Sequence, residues 1–213
     1  MARRRRQSLR KERRKGFRRQ FGLDRSGPPP RQTRPGQPLR PWTIPNAVGY
    51  VRLAAIPVFL YLALSSGDGR DATATVIFLA IAVGDYLDGF LARATGQYSR
   101  MGALLDPVVD RLLILSGVVV CWHFELLPRW ALAVLAAREL VTAVLAQVYL
   151  RRGGELEINW LGRIAVWPTM AAIFFAMISS SVVWDALLYV GLALGVFGTV
   201  AYVRAGMRQL ATA

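Results

Sequence analysis

From Trp42 onward the chain is a succession of six apolar runs, at about 44–65, 72–93, 101–124, 129–150, 160–180 and 183–204. Each is near the ~20 residues that an α-helix needs to cross the hydrocarbon core of a bilayer. The breaks between them, at 65–70, 95–99, 127–128, 151–154 and 179–181, are short and polar. Nothing alternates with period two, so a β-barrel is not supported. The expected fold class is all-α: a polytopic membrane protein with six transmembrane helices in one domain at 42–205, then a short C-terminal tail at 206–213.

A net charge of +14 sits oddly with a hydrophobic fraction of 54% until the charge is located. Residues 1–40 hold 15 of the 27 basic residues and two acids, Glu12 and Asp24. The segment 1–41 is Arg-rich, then Pro- and Gly-rich, and has too little apolar surface to offset its chain entropy, so it reads as disordered. It is too long and too charged before the first apolar run for a cleavable signal peptide. A nucleic-acid-binding arm is the less favoured reading. The plainer one is a cytoplasmic anchor on anionic lipid, worth roughly 1 kcal/mol per basic residue near the surface.

Loop charge sets the orientation. With the N-terminus inside, Arg93, Arg100, Arg151, Arg152, Arg204 and Arg208 all fall on the inner side. The outer side holds little beyond Arg70 and Arg129, with Asp68, Asp71, Glu125 and Asp185 near them. Six crossings return the C-terminus to the cytoplasm. Trp42, Trp122 and Trp130 near predicted helix ends read as an interfacial belt, and His123 as an interfacial residue. The lone cysteine, Cys121, allows no intramolecular disulfide.

Two of the apolar helices carry four aspartates. The sequence reads Asp85-x2-Asp88-Gly89-x2-Ala92-Arg93, then eight residues, then Gly102-x3-Asp106-x3-Asp110. An ionised Asp within a span costs about 2.5–3.5 kcal/mol on insertion scales, so four require a compensating partner. At 3.6 residues per turn, Asp85, Asp88, Gly89 and Ala92 share one helix face, and Gly102, Asp106 and Asp110 share a face of the next. Counted from Arg93 and Arg100, Asp88 and Asp106 match in depth just under the cytoplasmic surface, with Asp85 and Asp110 one turn deeper. Clustered carboxylates need cations, and all-oxygen ligands suit Mg²⁺ or Mn²⁺. Two such ions form the usual clamp for displacement at phosphorus. Gly89 and Gly102 leave room for a bulky ligand or for close helix packing. Arg93 and Arg100 at the rim can take phosphate charge. The plainer alternative is four structural charges held by partners such as Arg93 or Arg111.

This stretch resembles the CDP-alcohol phosphotransferase signature, and every position of it is met. Thr43-Ile44-Pro45-Asn46 with Arg52, Ala137-Arg138-Glu139-Leu140 and Asn159-Trp160-Leu161-Gly162-Arg163 extend the resemblance over about 42–204 and point to the phosphatidylglycerophosphate synthase and cardiolipin synthase branch. The resemblance implies a six-helix membrane enzyme, usually a homodimer, with its active site between helices near the cytoplasmic face. It would move a phosphatidyl group from CDP-diacylglycerol to an alcohol and release CMP. By position, Asp85, Asp88 and Asp106 would bind two Mg²⁺ or Mn²⁺ ions. Asp110 would be the general base and would also touch metal. Gly89, Ala92 and Gly102 would give the nucleotide room. The favoured acceptor is glycerol 3-phosphate and the alternative is phosphatidylglycerol. Phe90 and Arg111 stand where the branch often has Lys, and Asp-Pro-x-x-Asp-Arg also occurs in cardiolipin synthases of this fold.

Four further residues each carry two readings. Asn46 and Arg52 border the nucleotide site, or cap and anchor the first helix. Arg138 and Arg163 bind an acceptor phosphate, or pair with other helices. Arg138 and Glu139, about 100° apart on a helix, are not expected to pair with each other. A function of another class, a small ion-coupled transporter, also places Asp in a membrane. It would more often show internal repeats or helices broken at mid-membrane, and neither is visible.

Overall fold

The computed structural model describes residues 31–33, 36–151 and 160–211. Most of the basic tail and the charged break after Arg151 lie outside these residues. A 3₁₀ turn at Arg31–Thr33 is followed by six α-helices: α1 Ile44–Ser65, α2 Ala72–Thr95, α3 Arg100–His123, α4 Arg129–Arg151, α5 Trp160–Ala176 and α6 Val182–Ala211. Each predicted apolar run has become one helix.

Local chemistry fixes the helix ends. Thr43 caps α1 by accepting the Asn46 N–H at 3.3 Å, and Asp71 caps α2 by accepting the Ala74 N–H at 2.7 Å. In each case a side-chain oxygen satisfies an otherwise orphaned N3 donor. Gly96, at φ +67°, follows the last residue of α2 in the left-handed conformation that ends helices. Ser99 caps α3 by accepting the Gly102 N–H at 2.9 Å.

Two ends differ from expectation. The apolar run to 180 yields a helix only to Ala176, because the chain tightens: Ile178 N–H bonds the Phe175 carbonyl at 3.0 Å before three serines. Conversely, α6 runs on to Ala211 through residues expected as a tail, since 205–211 contain good helix formers. The end of the supposed N-terminal tail is also tied down. Met101 N–H donates to the Leu39 carbonyl at 3.0 Å, and Arg100 Nη1 to the Gln37 carbonyl at 3.4 Å.

The chain divides into two compact units. The first holds the described residues up to Ile56 together with Ala80–Asp110, which are the beginning of α1, the end of α2 and the beginning of α3. Its interior is unusually polar: Asn46, Arg52, Asp88 and Ser99 are buried beside Ile56, Ile81, Leu105 and Val109. Gly49 brings α1 close to α3, since a Cβ there would lie 2.8 Å from Leu105 Cδ2.

The second unit holds Pro57–Leu79 and Arg111–Ala213. Its core is apolar, with Phe59, Phe78, Leu113, Leu132, Leu135, Ile173, Met177 and Leu188 almost fully buried. Phe59 and Phe78 meet at 5.3 Å between ring centroids. Within it α5 and α6 run along each other. Small residues permit that approach: at Gly191 a Cβ would lie 2.9 Å from the Thr169 backbone nitrogen.

Among the described residues, three stretches are long and apolar enough to cross a membrane: α1, α2 and Val182–Val200 of α6. Of the others, α3 carries Arg100, Asp106, Asp110 and Arg111, α4 carries Arg138 and Glu139, and the apolar part of α5 is short, Ile164–Ala176.

Candidate active site

The site lies wholly in the first unit and is built around a cation. Arg52, on α1, is 3% exposed and reaches three of the four aspartates. Its Nη1 donates to Asp88 Oδ2 at 2.8 Å and to Asp85 Oδ1 at 3.4 Å, and its Nη2 donates to Asp110 Oδ1 at 2.7 Å. Its Nε donates to the Ile81 backbone carbonyl at 2.9 Å. The guanidinium fork thus touches α2 three times and α3 once, a use of fixed planar donors that a lysine could not copy. Asp88 is buried, whereas the Asp85 and Asp110 side chains keep 48% and 46% of their surface accessible. Asp106, half-buried one turn before Asp110, is not among the partners of Arg52.

Three of the aspartates therefore share a neutralising partner on α1, Arg52. The carboxylates are an all-oxygen donor set of the kind hard divalent ions prefer, and a positive group already sits between three of them. Among the described residues no three Asp, Glu, His or Cys side chains are gathered closely enough to hold one ion as they stand.

The glycines reveal what the missing side chains accommodate. A Cβ on Gly84 would lie 2.8 Å from Arg52 Cδ and 2.9 Å from its Cγ, so Gly84 is the slot through which the arginine stem passes. Gly102 makes room for Asn46, whose Oδ1 would lie 2.8 Å from a Cβ. Gly89 faces Arg93, whose Nη1 would lie 3.3 Å from a Cβ, so this guanidinium lies over the same α2 turn. Ala92 is half-buried on the next turn.

Asn46 is fully engaged. Its Nδ2 donates to the carbonyls of Arg40 and Pro41, both at 3.0 Å, and its Oδ1 accepts from Ser99 Oγ at 2.8 Å. It ties the segment before α1 to the cap of α3.

Arg138 belongs to the second unit, as does Arg163. Against expectation, Arg138 Nη1 does bond its neighbour Glu139, at Oε1. The long arginine stem bridges the angular gap, and the burial of Glu139 beside a partly buried Arg138 limits competing water. Glu139 is 5% exposed and also has Arg111 Nε 3.9 Å from its Oε2. The Arg138 guanidinium packs on Gly195, where a Cβ would lie 3.1 Å from its Cζ. Arg163 lies on α5, with its side chain outside the described residues.

Two participants escaped the sequence reading, Gly84 and Ser99, and so did the pairing of Arg138 with Glu139. A glycine directly before Asp85 and a serine three before Gly102 were the available signals for the first two.

Residues 42–197 match the CDP-alcohol phosphatidyltransferase family. Over 171 residues the chain is 39% identical to a cardiolipin synthase (CMP-forming) of Streptomyces coelicolor, covering 78% of this chain and 80% of that protein. It is 31% identical over 160 residues to a CDP-diacylglycerol--glycerol-3-phosphate 3-phosphatidyltransferase of Shigella flexneri, covering 72% and 85%. A Bacillus subtilis protein of the same name is 28% identical over 144 residues, covering 62% and 75%. With the match spanning both units and including all four aspartates, the chain belongs to the CDP-alcohol phosphatidyltransferase family.

Proposed function

We propose that this membrane protein transfers a phosphatidyl group from CDP-diacylglycerol to an alcohol hydroxyl and releases CMP. The observation that carries this is the intact Asp85–Asp88–Asp106–Asp110 set inside the matched region. Asp110 takes the proton of the acceptor hydroxyl as its oxygen attacks the phosphorus bearing the lipid. A bond from the acceptor oxygen to that phosphorus forms, the phosphorus–oxygen bond to CMP breaks, and CMP keeps the electron pair. The partial accessibility of the Asp110 side chain suits a base that must meet substrate. Asp85, Asp88, Asp106 and Asp110 would hold Mg²⁺ or Mn²⁺, which when bound would neutralise diphosphate and leaving-group charge. Gly89 and Ala92 leave space on the α2 face beside the carboxylates, and Arg93 offers phosphate a cation.

Two acceptors have support. Phosphatidylglycerol is favoured by the 39% identity to the Streptomyces synthase and by Asp106-Pro107-x-x-Asp110-Arg111. Glycerol 3-phosphate is favoured by the relatives at 31% and 28%. We place six helices across the membrane with both termini cytoplasmic, in keeping with the arginines of the 93–100 and 151–152 breaks. The resemblance adds a homodimer, which cross-linking in vesicles would test.

The deciding experiment supplies purified protein with CDP-diacylglycerol, Mg²⁺ or Mn²⁺, and each acceptor in turn. CMP release and the lipid product are followed by mass spectrometry. Cardiolipin identifies the first acceptor and phosphatidylglycerophosphate the second. No CMP release with any alcohol refutes the transferase reading.

A further inference from the structure

We propose that Arg52 is the internal counter-cation of the carboxylate cluster and that divalent metal must displace it to bind. The inference rests on the metal reading of the four aspartates.

Three observations carry it. The first is position: both Nη atoms are spent on Asp85, Asp88 and Asp110, the oxygens an ion at this site would need. The second is accommodation. The arginine stem runs through the gap left by Gly84, and its Nε is fixed on the Ile81 carbonyl, so the side chain is built into α2 rather than resting on it. The third is reach: the one guanidinium draws on carboxylates of both α2 and α3, so it takes the space between the two helices that an ion shared by them would need.

The electrostatics explain why such a device is useful. Without metal, carboxylates at this range on apolar helices repel one another, and burying them unpaired is costly. Arg52 supplies one positive charge against four negative ones, enough to let the helices associate and too little to satisfy the site. A divalent ion, with twice the charge and no stem to order, takes over the same oxygens. Displaced from them, the guanidinium would have its planar fork available to phosphate. Arg52 is in this account a positioning residue that sets metal affinity.

The test is Mn²⁺ binding to the full chain in nanodiscs, followed by the paramagnetic resonance of free Mn²⁺, with thermal unfolding in parallel. Compared are the wild type, Arg52→Gln, Arg52→Lys and Gly84→Ala. Removing a competitor that occupies most of the free protein raises apparent affinity by the inverse of the competent fraction, here on the order of tenfold for Arg52→Gln. Arg52→Lys keeps the charge but holds fewer carboxylates, and should fall between. Gly84→Ala, which drives the stem from its slot, should also bind Mn²⁺ more tightly than wild type. Metal-free Arg52→Gln should melt lower than wild type, with the gap closing as Mn²⁺ saturates. If Arg52→Gln does not fold, Arg52→Lys and Gly84→Ala decide. Saturable wild-type binding with unchanged or weaker affinity in the variants overturns the competition and leaves the metal reading standing. No saturable binding to any of the four overturns both.

Discussion

Arg52 Nη2 donates to Asp110 Oδ1 at 2.7 Å, joining α1 to the residue of α3 assigned the proton transfer. The bond links assembly to chemistry. One carboxylate is both a strut between helices and the proposed base, and a substitution can separate the two roles.

Asp110→Asn makes that separation. The amide oxygen still accepts from Arg52, so the unit should fold with only a small drop in melting temperature. The amide cannot take a proton, and turnover should fall about 10²–10⁴-fold, the range for a lost general base. Melting temperature and metal-dependent binding of CDP-diacylglycerol check the first statement, and CMP release checks the second. Full turnover in Asp110→Asn would remove Asp110 as the base.

Gly102→Ala probes a glycine of the motif. The new methyl group would lie 2.8 Å from Asn46 Oδ1 and 3.2 Å from Ser99 Oγ. The carboxamide must move, and its bonds to Ser99, Arg40 and Pro41 strain or break together. Overpacking of this kind costs roughly 1–3 kcal/mol. Asn46→Ala should cost a similar amount, and the double substitution should cost less than the sum, because both act on one network. Strict additivity in thermal or denaturant unfolding would show that Gly102 makes room for something else.

The first three helices were legible because their apolar runs are bounded by residues with a mechanism: Thr43, Asp71, Gly96 and Ser99 stop or start the chain where the run stops or starts. The convergence of Asp85, Asp88 and Asp110 was legible because helical periodicity gives each helix one carboxylate stripe and the short break between the helices sets the two stripes at matching depth. Their counter-charge was not. Arg52 lies 36 residues before Asp88 and 58 before Asp110, and periodicity within one helix says nothing about which partner faces it. The Arg138–Glu139 pair was missed for a related reason. The angular gap between neighbours counts for less where solvent competes poorly, and a sequence does not reveal that Glu139 is buried and Arg138 partly so.

Glu139→Ala tests how the second unit holds its buried cation. It removes the carboxylate bonded by Arg138 and approached by Arg111. Breaking one side of a fully buried pair costs about 3–5 kcal/mol, and with the Arg138 side chain partly exposed the loss should fall at or below the lower end of that range. Replacing both residues, Arg138→Met with Glu139→Leu, should restore much of the loss in unfolding experiments. A double variant no more stable than Glu139→Ala would mean that the arginine has other compensation.

Gly191→Ala tests the contact between α5 and α6. Its methyl group would meet Thr169 Oγ1 and lie 2.9 Å from the Thr169 backbone nitrogen. A side chain can rotate away, but a helix backbone cannot, so relief requires the helices to separate. The cost should reach the upper part of the roughly 1–3 kcal/mol that overpacking brings. Trimming the facing side chain distinguishes the two contacts. Thr169→Ala in the Gly191→Ala background removes the hydroxyl clash and leaves the backbone one, so less than half of the lost melting temperature should return. Full recovery would assign the close approach to the threonine side chain alone and leave the helix spacing indifferent to Gly191.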